Sequence, residues 1–114
     1  MIVEKSWGKE TVFASTEEYC GKFLEFDEAG NKTSMHFHRN KDESLVVTFG
    51  SFKIYFFDLT TGMPDERVLR TGDTWKNPPL FMHQLEALES KSVLIEVSNA
   101  NDPSDVFKIN SEDA

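Results

Sequence analysis

One cysteine in 114 residues rules out an internal disulfide, and Cys20 lies in a strand-like run where a buried thiol is commonplace. A reducing compartment is expected. No stretch approaches the ~20 consecutive apolar residues of a membrane span. The opening Met1-Ile-Val-Glu-Lys carries an early acid and lacks the apolar core of a signal peptide. These absences predict a cytoplasmic protein with no membrane partner. Positive charge is also scarce: 12 Lys and Arg stand against 20 Asp and Glu, a formal net charge of -8. Nucleic acid would be repelled by such a chain. The acids are scattered, with no block of five or six like charges, and read as a solvated surface. Apolar residues at helical spacing over three turns are missing too, so at most one helical turn is expected, over Glu17 to Tyr19. Internal repeats, low-complexity tracts and linkers are absent, which leaves one domain over residues 1–114.

What is present suits one packed core. Hydrophobic residues make up 39%, and ten Phe and two Trp bring large buried surfaces. Short apolar runs alternate with turn signals, the pattern of a sandwich or barrel. Strands are predicted over 11–14, 19–27, 32–38, 44–49, 51–58, 66–70, 72–76, 82–88, 91–98 and 104–109. Between them stand breakers such as Glu28-Ala29-Gly30-Asn31 and Thr61-Gly62-Met63-Pro64-Asp65, in which Gly, Pro, Asn and Asp each favour a turn for its own reason. Met1 to Gly8 and Asn110 to Ala114 are predicted to be loose. In the 51–58 strand, Phe52, Ile54 and Phe56 share the inward face and Lys53 and Tyr55 the outward one.

The chain has only three histidines. His36 and His38 are two apart in a strand-like segment, so their rings leave one face about 7 Å apart along the backbone. That spacing lets both imidazoles reach one ion. Glu43 follows a turn long enough to return a carboxylate beside the histidine strand, and His83 opens a later strand. Imidazole suits most first-row metals, and a carboxylate adds a hard oxygen.

The glycines fall into place around these residues. Gly30, five residues, His36, one residue, His38, four residues, Glu43, six residues, Gly50 is one motif; Gly72, five residues, Pro78, four residues, His83 is a second. With both motifs the chain resembles the cupin superfamily over roughly residues 30–98. The resemblance implies an all-β, cupin-type double-stranded β-helix, a jelly-roll barrel of two antiparallel sheets. It further implies that His36, His38, Glu43 and His83 are ligands of one divalent ion inside the barrel, among Zn, Mn, Fe, Ni and Co. Two positions depart from the second motif: Leu80 stands where a glycine is common, and Ala87 where a polar Asn is. Val3-Glu4-Lys5-Ser6-Trp7-Gly8 and Leu94-Ile95-Glu96-Val97 with Asp105-Val106-Phe107-Lys108-Ile109 are similar to the two ends of the cupin module of type II mannose-6-phosphate isomerases. There Ser6 replaces a proline, and Asn110-Ser111-Glu112-Asp113-Ala114 replaces a closing Asp-Asp-Tyr-Gly-Arg.

Glu96 interrupts an apolar strand, where an ionised carboxylate needs a partner or a polar cavity. It reads either as a general base beside the metal or as an ion pair at a strand end. Lys76, Arg39 and Lys41 are expected to be solvent-exposed, with anion binding as the rarer alternative. Met35 and Phe37, opposite the histidines, need cover, and a homodimer is expected to supply it, with the segment around Trp7 as the competing cover. The leading expectation is a metal-dependent aldose–ketose isomerase-like enzyme acting on a small sugar-like molecule. A cupin dioxygenase using iron and a non-catalytic carbohydrate-binding module are the alternatives.

Overall fold

The computed structural model describes residues 1–110 and contains eleven strands and no helix among them. The strands are β1 (Ile2–Lys5), β2 (Gly8–Ser15), β3 (Cys20–Phe26), β4 (His36–Phe37), β5 (Glu43–Phe49), β6 (Ser51–Phe57), β7 (Pro64–Arg70), β8 (Thr74–Asn77), β9 (His83–Ala87), β10 (Val93–Ser98) and β11 (Phe107–Lys108). They form a six-stranded sheet, β1-β2-β3-β10-β5-β8, and a five-stranded sheet, β11-β4-β9-β6-β7. Every pairing is antiparallel. No helix among the described residues is long and apolar enough to cross a membrane.

Alternation along each strand decides what lies between the sheets. Phe52, Ile54 and Phe56 turn inward and are buried, whereas Lys53 and Tyr55 face out, as their spacing predicts. They meet Leu24, Phe26, Leu45, Val47, Leu85 and Leu94 from the opposite sheet and β9. Rings interlock at the centre: Trp7 stacks on Phe26 at 4.2 Å, and Phe26 meets the edge-on ring of Phe52 at 5.0 Å. Gly50, at φ +79, links β5 and β6 with its Cα against Ser92; an added Cβ would lie 2.2 Å from Ser92 Oγ.

Several sequence expectations change. Met1 to Gly8 is not loose, because Ile2–Lys5 pairs along β2 and Trp7 is buried in the core. The one-turn helix at Glu17 to Tyr19 is a bend instead, held by Thr16 Oγ1, which accepts from the amides of Glu18 and Tyr19. The predicted 32–38 strand shrinks to His36–Phe37. Upstream of it the pairing with β9 thins to isolated backbone contacts, Thr33 N donating to Leu85 O at 2.9 Å and Lys32 standing opposite Glu86. Side chains reinforce it: Thr33 Oγ1 accepts from Leu85 N at 3.1 Å, and Gln84 Nε2 donates to Thr33 O at 2.7 Å. The 104–109 strand likewise shrinks to Phe107–Lys108. Phe37 is half-buried, and part of its cover is Phe107 of β11, whose ring stacks on it at 5.2 Å. Residues 111–114, which include most of the departure from the isomerase ending, lie outside the described residues.

Candidate metal centre

The barrel's core divides into an apolar end and a polar one. At the polar end, strands from both sheets wall a cavity of about 270 Å³. Its floor is built by register. His36 on β4 is the direct partner of His83 on β9, and Glu43 on β5 lies between Ser98 of β10 and Asn77 of β8. His36 and His38, two residues apart, aim at the same point, with ring centroids 5.0 Å from each other. The rings of His36 and His83 are 4.5 Å apart, and one ligand atom from each of the three histidines lies within 4.8 Å of the others. The structure thus brings together all three histidines that the sequence singled out. Glu43 joins them: its Oε1 is 3.0 Å from His83 Nε2 and 3.9 Å from His38 Nε2.

The outer nitrogen of each ring settles its tautomer. His36 Nδ1 meets Ser34 O at 2.8 Å, His38 Nδ1 meets Asp105 O at 2.6 Å, and His83 Nδ1 meets Phe81 O at 2.9 Å. A carbonyl oxygen can only accept, so each Nδ1 carries the hydrogen and donates it. The three Nε2 atoms are left for the cavity. This is the arrangement in which imidazole ligates a metal, with the far nitrogen tied to a carbonyl. Burial pushes the His36 imidazole down to about 3, helped by the neighbouring charge of His83. Burial also lowers His38, against the pull of the Asp105 carbonyl. Both rings are therefore held neutral, the form that binds a cation. The donor set, three imidazoles and a carboxylate, fits a first-row divalent ion.

Glu43 is buried. Burial alone would push it up, but the hydrogen bond and charge of His83, together with the Lys41 ammonium, hold it well below the usual carboxylate range. Asn77 Nδ2 donates to Glu43 Oε1 at 3.1 Å, and Trp75 Nε1 donates to Asn77 Oδ1 at 2.8 Å, which fixes the carboxylate's plane.

Glu96 lies on β10 with its side chain turned into the cavity, so it is neither exposed nor at the strand's outer edge. Both readings of it meet here. It forms an ion pair with Lys41, Nζ to Oε2 at 2.6 Å, and Lys41 Nζ is also 3.5 Å from Glu43 Oε2. Lys41 corrects an expectation: its side chain is about one-tenth exposed and turns inward between the two acids. Burial would lower Lys41, but Glu96 and Glu43 override it and raise it. Burial and the Glu43 charge push Glu96 up to about 7, with Lys41 opposing. Further along the same wall Lys22 pairs with Glu10 at 3.4 Å. Lys76, by contrast, stays exposed and pairs with Asp42 at 3.5 Å.

Two residues of the site escape the sequence reading, Asn77 and Asp105. Asn77 was within reach of register arguments, since it pairs with Glu43 across β5 and β8. Asp105 was not, because it acts on backbone amides 64 to 66 residues away. Its carboxylate accepts from the amides of Arg39, Asn40 and Lys41, which hold it below the usual range.

No protein-family model and no curated protein matches the chain. Solved structures do. KdgF from Halomonas sp. superposes with a TM-score of 0.73 at 25% identity, over 84% of this chain and 81% of that one. The capsular polysaccharide assembling protein CapF of Staphylococcus aureus gives 0.83 at 20% identity over 96% of this chain. Oxalate decarboxylase of Bacillus subtilis gives 0.83 at 17% identity, again over 96%. The chain spans 34% of CapF and 30% of oxalate decarboxylase, about a third of each. The likeness and the two antiparallel sheets establish the cupin fold, a jelly-roll barrel, with three histidines placed to hold a metal ion.

Proposed function

We propose that the chain is a metal-dependent cupin enzyme that isomerises a small sugar or sugar phosphate by moving a proton between neighbouring carbons of an α-hydroxy carbonyl. His36, His38, Glu43 and His83 hold one divalent ion, and Glu96 is the base. One observation carries this reading: three histidine rings and the Glu43 carboxylate converge in a buried cavity, and a second carboxylate, pushed up to about 7, lines the same cavity.

A bound ion supplies Lewis acidity toward the carbonyl and hydroxyl oxygens of such a substrate. Glu96 takes the proton from the hydroxyl-bearing carbon and returns it to the former carbonyl carbon, while the hydroxyl proton passes to the former carbonyl oxygen. A base whose pKa lies near the working pH does this most efficiently. Lys41 keeps the Glu96 carboxylate oriented, and Asn77 does the same for Glu43. The surrounding apolar wall, with Leu24, Leu45 and Leu85, limits competing water. The similarity of the chain's two flanks to type II mannose-6-phosphate isomerases supports a sugar substrate. So does the fold shared with CapF, described as a capsular polysaccharide assembling protein.

Elemental analysis of protein purified without added metal, followed by turnover on a panel of aldoses, ketoses and their phosphates, tests the reading. One equivalent of metal and aldose–ketose interconversion are expected. Iron with oxygen consumption and no isomerisation would give the site to a dioxygenase. Sugar binding without turnover would make the barrel a binding module.

A further inference from the structure

The link between His38 and Glu43 is the loop Arg39-Asn40-Lys41-Asp42, and its backbone is gripped from two sides. Asp105 Oδ1 accepts from Arg39 N at 2.7 Å, and its Oδ2 accepts from Asn40 N at 3.0 Å and Lys41 N at 3.1 Å. Asn99 Oδ1 accepts from Asp42 N at 3.2 Å, and Asn99 Nδ2 donates to Asn40 O at 2.9 Å. All four amides of the loop are thus bound by side chains of the segment that follows β10. The same segment supplies the carbonyl of Asp105 to His38 Nδ1 at 2.6 Å. Further on, β11 pairs Phe107 with Phe37 and Lys108 with His36. Ile109 N donates to Met35 O at 2.7 Å, and Met35 N donates to Asn110 Oδ1 at 2.7 Å.

We infer that residues 99–110 are a template for the metal centre, with Asp105 its principal positioning residue: by binding the backbone of residues 39–41 it fixes the span from His38 to Glu43 and aims Lys41 inward. This inference rests on the metal-ligand reading above. A free four-residue loop samples many spans, whereas a metal site needs its donors placed within a few tenths of an ångström. Five directed hydrogen bonds to the loop backbone remove that freedom before an ion arrives. The buried Asp105 carboxylate is suited to this, since an ionised acceptor makes the stronger amide bonds. Lys41 follows: with its amide held by Asp105, its side chain leaves the loop toward Glu96 and Glu43 instead of toward solvent. Asp105 itself does not line the cavity.

The test measures Zn²⁺ affinity by calorimetry, the visible spectrum of the Co²⁺ form, and hydrogen exchange of the amides of residues 39–41. Asp105→Ala should weaken Zn²⁺ binding about ten- to a hundredfold, the scale seen when groups that orient ligands are lost. The Co²⁺ spectrum should change, and the three amides should exchange faster. Asp58→Ala is the control. It removes a comparable carboxylate clamp, from the amides of Thr60 and Thr61, in a turn away from the site, and should leave Zn²⁺ affinity unchanged. Asp105→Asn and Asn99→Ala keep the inference testable if Asp105→Ala does not fold; each should weaken Zn²⁺ several-fold. Wild-type affinity and spectrum in these variants, with the 39–41 amides exposed, would reduce Asp105 to a structural brace and overturn the inference. A wild-type protein that binds no metal would instead overturn the ligand reading beneath it.

Discussion

Lys41 and Glu96 meet inside the barrel at 2.6 Å, and the same ammonium reaches Glu43 at 3.5 Å, so one cation bridges two buried, neighbouring carboxylates. Removing it leaves like charges facing each other in a poorly solvated cavity. Lys41→Met is expected to destabilise the metal-free protein by about 3–5 kcal/mol, the usual cost of stripping one partner from a buried pair. Urea denaturation reads the loss. Zn²⁺ should then raise the melting temperature more in Lys41→Met than in wild type, because the ion takes over the missing positive charge. Equal shifts in both would show that the ammonium and the ion act independently.

Glu96→Gln keeps the shape of the side chain and removes the base. Metal content should stay at the wild-type level while turnover falls about a hundredfold or more. Full activity in this variant would remove Glu96 from the reaction and leave it as the partner of Lys41.

The buried titratable groups give the metal-free protein a pH profile with a worked sign. His36 is pushed down to about 3, below its ordinary value of 6.5, so between those values the unfolded chain binds a proton that the folded one does not. Stability is therefore lost as pH falls from 6.5 toward 3. Glu43, held low, adds stability above its ordinary value of 4.5 that disappears on further acidification. Glu96 runs the other way: raised from 4.5 to about 7, its contribution is full at low pH and lost as pH rises through that window. Between pH 6.5 and 4.5 the Glu96 contribution offsets most of the His36 loss, and the lowered His38 adds to that loss. Wild-type urea midpoints should therefore fall only shallowly there and more steeply below pH 4.5. In Glu96→Gln the opposing contribution is gone, so the fall between pH 6.5 and 4.5 should be steeper than in wild type.

Leu80 sits at φ +69 in the turn before His83, where the second motif commonly has glycine, and its side chain is exposed. A left-handed conformation costs a branched-chain residue roughly 1–2 kcal/mol. Leu80→Gly should therefore stabilise the protein by about 0.5–1 kcal/mol after the added chain entropy of glycine is subtracted. The amide bond from residue 80 to His38 O, 2.7 Å here, survives the change. Gly50→Ala should do the opposite, costing about 1–3 kcal/mol, since its Cβ would collide with buried Ser92. Chemical denaturation of both variants checks the pair.

The histidine cluster was legible because a period of two on a strand places His36 and His38 on one face whatever the rest of the fold does. The inward set Phe52, Ile54 and Phe56 was legible for the same reason. What the sequence hid depends on the third dimension. Strand β1 looked loose because its alternation is short and partly charged, and only its ladder with β2 makes it a strand. Lys41 looked like a solvated loop residue because nothing nearby in sequence announces that Glu96 lies across the cavity from it. Asp105 looked like any of twenty acids, since its partners are backbone amides, which every residue but proline carries.

That last point has a consequence for how such a site can drift. The clamp on residues 39–42 grips peptide groups, so it is blind to most side chains there and sensitive only to how many residues there are. Arg39, Asn40 and Asp42 are exposed, and the clamp asks nothing of their side chains beyond the exclusion of proline. One residue inserted or deleted would shift the register of every amide against Asp105 and Asn99 at once. The loop's spelling is open, and its length is fixed.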